Sequence, residues 1–268
     1  MTSVFEIRLA ALLARPSAAA ADAFTRASTP EKVASVGGAL CRDRRARARV
    51  VGVTMLAGLA RASDAFSDGV RDALTTCSVD LRPTVRRAVA LGAADLKGES
   101  RLTLLMQLAH DPDSQVRRLV ALALGRGLPD ESELLYSRAL GTLIALTSDP
   151  SLMVRDMATF SLGSQLDVDS QLVRDALKAR LIDEEDERWY PAAEAAVGLA
   201  VRGDMSVLPA VRDRLKPSVG KLWLEAAAAL GHPDLLPSLM ALTSEDDDIS
   251  DPWVSALHRA IGRCAENT

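Results

Sequence analysis

The chain has 268 residues, of which 48% are hydrophobic but only 3% aromatic, and its formal net charge is −4. These values exclude an overall basic protein, and no apolar run is long enough to span a bilayer. Charge is unevenly spread, about +4 over residues 1–134 and about −8 over residues 135–268, which hints at two different surfaces.

Taken in order, the chain starts with its least regular part. MTSVFEIRLAALLARPSA has a charge pattern unlike a secretory signal, with Glu6 and Arg8 interrupting it, and is expected to form the first helix of the array. Short helices are expected over residues 6–13, 18–26 and 31–40, so residues 1–40 read as irregular capping helices. CRDRRARARVVGVTMLAGLAR then sets five arginines between Arg42 and Arg49 before an apolar face at Val53, Leu56 and Leu59. Ala48 and Arg49 match Val85 and Arg86 about 37 residues on, which makes this a repeat helix whose partner runs from Phe66 to Cys77. VDLRPTVRRAVALGAAD supplies Val85, Arg86 and Val89, and a helix from Glu99 to His110 follows.

The repeat is clearest in DPDSQVRRLVALALG, residues 111–125, which returns as DPSLMVRDMATFSLG, residues 149–163. Asp-Pro marks a turn and a helix start: the carboxylate accepts from otherwise unpaired N–H groups, and Pro suits the first turn. Val116, Val120 and Leu124, like Val154, Ala158 and Leu162, recur every four residues and give one apolar face. Gly125 and Gly163 are expected to end these helices in the left-handed conformation. Between the copies, Leu134, Leu135, Ala139, Leu140, Leu143 and Ile144 have a second helical spacing. Two helices thus fill a unit of about 38 residues, the length of HEAT and armadillo-type repeats.

Beyond Gly163 the chemistry changes. A helix over 170–181 leads to the acidic turn IDEEDE, and Trp189 and Tyr190 are expected where Val154 and Arg155 stood. Helices over 205–215 and 222–231 follow, with Leu222 and Trp223 in the same places, and 235–243 pairs with 253–262. Regular repeats thus cover 41–231 and a C-terminal capping repeat covers 232–268, all in one domain. Trp189, Trp223 and Trp253 recur near one phase, which favours filling gaps between units over a row of exposed anchors.

The D-P-x-x-x-V-R-x-x-A-x-x-x-L-G pattern resembles the second helix of a HEAT repeat, also called the PBS-lyase HEAT-like repeat. VRDMATFSLGSQLDVDSQLVRDALKARL with GLAVRGD further resembles a group of actinobacterial HEAT proteins. The resemblance implies an all-α, right-handed α-solenoid of six to seven helical hairpins. It implies a ladder of Asp111 with Arg117 and Asp149 with Arg155, which Arg86 joins by position. It also puts the second helices on the concave face, where Arg87, Arg118, Asp156 and Phe160 would meet a partner.

That partner is expected to be another protein, carrying an acidic or phosphorylated segment, and the chain a monomeric cytoplasmic scaffold without cofactor, metal or catalytic residues. Cys41, Cys77 and Cys264 have no metal-ligand spacing and read as buried thiols, and His110, His232 and His258 stand singly. Gly37, Gly38, Gly92 and Gly125 read as helix ends, not a phosphate loop. The alternative is a HEAT-fold DNA-binding or DNA-repair protein of the alkylpurine glycosylase kind. The acidic second half opposes it, since phosphate contacts supply most non-specific affinity for DNA.

Overall fold

The computed structural model describes residues 6, 9–10, 13–14, 18–26, 28–62, 67–96, 98–126, 133–184, 190–244, 248 and 250–267. All regular structure among them is helical. The helices are α1 (Ala18–Arg26), α2 (Pro30–Leu40), α3 (Ala46–Ala62), α4 (Ser67–Ser78), α5 (Pro83–Ala93), α6 (Gly98–Leu108), α7 (Ser114–Gly125) and α8 (Glu133–Leu146). There follow α9 (Leu152–Phe160), α10 (Gln171–Lys178), α11 (Pro191–Val201), α12 (Leu208–Arg214), α13 (Lys221–Leu230), α14 (Leu236–Met240) and α15 (Pro252–Ala265). The helix expected over residues 6–13 lies mostly outside the described residues, and so do Phe66 and Trp189.

One domain was expected, and the contacts divide the chain into two compact units, Met1–Thr142 and Leu143–Thr268. A repeat array packs each hairpin only on its neighbours, so no shared core makes it indivisible. In the first unit the second helices α3, α5 and α7 pack in series, with α4 and α6 laid against them. In the second unit α9, α11, α13 and α15 do the same, flanked by α10, α12 and α14. The interior is aliphatic and small: Val85, Val89, Val116, Val120 and Leu124 are fully buried in the first unit, and Val154, Ala158, Ala192, Ala196 and Leu224 in the second.

Small residues set the helix spacing in a way the sequence did not suggest. Gly125 and Gly163 have no left-handed backbone; among the described residues that conformation belongs to Gly98, Gly203 and Gly231. Gly163 instead lies in a π-helical turn, Ser161–Gln165, that prolongs α9. A Cβ on Gly198 of α11 would fall 2.7 Å from the Gly163 Cα, so the two backbones touch. Gly92 likewise sits inside α5, where a Cβ would meet the Ala57 side chain at 2.9 Å. Nor does Asp-Pro begin the helix: the N-caps are Asp113 and Ser151, and the aspartates before them brace the turn.

Candidate functional site

The second helices α3, α5, α7 and α9 carry an arginine at the fourth helical position, and the guanidinium groups of Arg49, Arg86 and Arg155 reach both ways. Backwards, Nη1 donates to a carbonyl of its own turn: Arg49 to Asp43 at 2.9 Å, Arg86 to Asp80 at 2.7 Å, Arg117 to Asp111 at 2.7 Å and Arg155 to Asp149 at 3.0 Å. Forwards, the guanidinium grips the carboxylate of the next turn. Arg49 pairs with Asp80, Arg86 with Asp111 at 2.6 and 2.8 Å, and Arg155 with Asp183 at 2.7 Å. Asp80 and Asp111 also accept the N–H two residues on, from Arg82 and Asp113, and Asp149 accepts that of Ser151 in the same way, each at 2.8 Å. The ladder therefore runs between repeats with a corrected pairing: the Asp111 carboxylate belongs to Arg86, and Arg117 takes the Asp111 carbonyl.

The positions expected to face a partner stand one residue further along. Arg87 is not a free cation: it clamps the N-cap carboxylate of Asp113 at 2.6 and 3.0 Å and holds it below the usual carboxylate range. In the second unit Asp156 accepts the Tyr190 N–H at 2.6 Å, so it too reaches the residue that opens the next second helix. Arg118 and Phe160 are half-buried on α7 and α9. Arg87 and Asp156 thus each tie a second helix to the start of the next.

Beyond Arg155 the register departs from expectation. Pro191 is the first residue of α11, so Ala193 and Glu194, not Trp189 and Tyr190, take the places of Val154 and Arg155. In α13, which starts after Gly220, those places fall to Trp223 and Leu224, one residue later than expected. Trp223 is buried where repeat valines sit, and the Trp253 indole donates to the Val219 carbonyl at 2.8 Å. Both pack between repeats. Glu194 brings a carboxyl to a site that holds arginine elsewhere. Burial, with Asp156 and Glu225 near, pushes its pKa from 4.5 to about 8.

Because the fold holds that proton to about pH 8, the stabilisation is complete below the ordinary glutamate range, falls as pH rises, and is gone above 8. Glu194→Gln should therefore match the parent chain near pH 4 and exceed its unfolding free energy by about 4 to 5 kcal/mol at pH 9. Urea melts at the two pH values check this. An equal difference at both would mean that ionisation plays no part.

In the second unit a cavity of about 490 Å³ opens beside the start of α13. Arg214, Lys216, Ser218, Lys221, Tyr190 and Trp223 line it, with Ala193, Val219 and Leu222 as its apolar wall. The Arg214 guanidinium lies over the Trp223 ring, 5.1 Å from its centre. Lys221 bonds Glu225 one turn along at 3.0 Å. The geometry suits capture of an anion beside an apolar group. Among the described residues no group of His, Cys, Asp and Glu could hold a metal ion, and the three cysteines are buried thiols. No described helix is long and apolar enough to cross a membrane.

Helical hairpins in series, tied by an arginine–aspartate ladder, are the architecture of HEAT repeats. Residues 102–189 match the family model for HEAT repeats. The chain is similar to Protein YibA of Escherichia coli K12, with 27% identity over 221 residues, 81% of this chain and 64% of the relative. It thus spans less than two thirds of the curated relatives it matches, the O157:H7 form included. The X-ray structure of YibA superposes with a TM-score of 0.68 at 23% identity, covering 91% of this chain and 86% of that one. A crystal structure of importin beta matches with a TM-score of 0.58 at 14% identity, over 97% of this chain and 40% of that one. Both show the helical-repeat fold.

Proposed function

We propose that the chain is a non-enzymatic scaffold or adaptor that holds another protein along its second helices. One observation carries this: within each unit successive second helices pack side by side, so one helix position recurs as a row of side chains. Such a row suits an extended segment of a partner, which touches several repeats at once. Arg118 stands on this row in the first unit, where Arg87 contributes as a pair with Asp113, and Asp156 stands on the row of the second unit with Phe160 one turn beyond.

Affinity capture from the native cell is the test. The parent chain should retain a protein partner, and Arg118→Glu with Phe160→Ala should cut the retained amount by about tenfold while leaving helicity unchanged. Steeply salt-sensitive retention of duplex DNA, with no protein held, would overturn the proposal in favour of nucleic-acid binding.

A further inference from the structure

The cavity beside α13 is cationic in a half of the chain that sums to about −8. Its three cations come from one short stretch, 214–221, and all three side chains belong to exposed residues. Lys216 has no ion-pair partner among the described residues. Tyr190, Trp223, Ala193, Val219 and Leu222 line the same cavity, so charge and apolar surface share one concavity. We infer that this is a docking pocket for an acidic peptide segment, whose carboxylates meet Lys216 and Lys221 while an apolar side chain rests by the Arg214–Trp223 stack.

The geometry favours peptide carboxylates over a lone phosphate. The lining joins Arg214, Lys216 and Lys221 to Tyr190, Ala193, Val219 and Leu222, and a bare phosphate would use only the charged part of it. Lys221 is already engaged by a carboxylate, that of Glu225, so the chain itself shows the contact a partner would make. A volume of about 490 Å³ gives room for a short stretch of chain. The inference rests on the protein-binding function proposed above and names the chemistry of what is bound.

Fluorescence anisotropy with a short labelled peptide of alternating glutamate and leucine tests it on the full chain. Lys216→Glu should weaken binding about tenfold. Glu225→Gln should strengthen it about threefold, because Lys221 is released from its internal competitor. Both positions lie at the surface or near it, and opposite shifts cannot come from a common loss of structure. A glutamine-for-glutamate peptide binding equally well, inorganic phosphate displacing the peptide completely, or an unchanged affinity in Lys216→Glu would each overturn the assignment. If the peptide fails while the parent chain still captures a partner, the pocket is refuted and the scaffold function survives. If the peptide binds and no partner is captured, the scaffold function is the one that falls.

Discussion

Arg202→Ala should cost about 4 kcal/mol of stability, more than any other single truncation considered for the second unit. Arg202 follows α11, and its guanidinium spends all five N–H groups on main-chain carbonyls. Nε donates to Val168 at 2.9 Å, Nη1 to Gly163 and Gly198 at 2.7 Å each, and Nη2 to Leu162 at 3.0 Å and Leu166 at 2.9 Å. Four of the acceptors belong to the π-helical turn and the segment leaving it, and the fifth to α11, so one side chain closes the end of one repeat onto the next. Among the described residues no carboxylate bonds this charge, and burial lowers its pKa. Removing it leaves several carbonyls short of donors where water replaces them incompletely. Arg202→Lys offers three donors from one point in place of a planar fork and should recover less than half the loss. Urea melts read the stability, and amide exchange should quicken across residues 161–168. A loss below about 1 kcal/mol would mean that solvent already serves these carbonyls.

Nothing near GLAVRGD announces that role, because four of the five acceptors lie 34 to 40 residues earlier and those bonds exist only once two repeats meet. The repeats themselves were legible: Val85, Val116 and Val154 share one helix position, and the arginines after them share the next. The fold class followed from that period. The register failed where composition was trusted over punctuation. Trp189 and Tyr190 look like replacements for Val154 and Arg155, but Pro191 cannot stand within a helix and opens it instead, moving every later position. Gly163 was misjudged for a related reason: a glycine near a helix end suggests a cap, and only the approach of Gly198 shows that the missing side chain is needed for contact. The cavity beside α13 was beyond sequence reasoning, since Tyr190 joins it from some 30 residues away. Its cations were hidden within an acidic half.

Asp111→Ala should cost about 3 kcal/mol, and the ladder explains why an ion pair matters here when most do not. The Asp111 side chain is 4% exposed and that of Arg86 is 12% exposed, so neither charge is well served by water. Truncating the aspartate strands the guanidinium and also frees the Asp113 N–H that its Oδ1 accepts at 2.8 Å. The neighbouring pair Arg87–Asp113 has the same geometry but stands 38% and 20% exposed, so Arg87→Ala should cost no more than about 1 kcal/mol. A double-mutant cycle on Arg86→Ala and Asp111→Ala should return a coupling of about 2 kcal/mol, because either truncation alone already breaks the link. Strict additivity would show that the two side chains act separately. The ladder would then be a by-product of helix packing and not what fixes the distance from one repeat to the next.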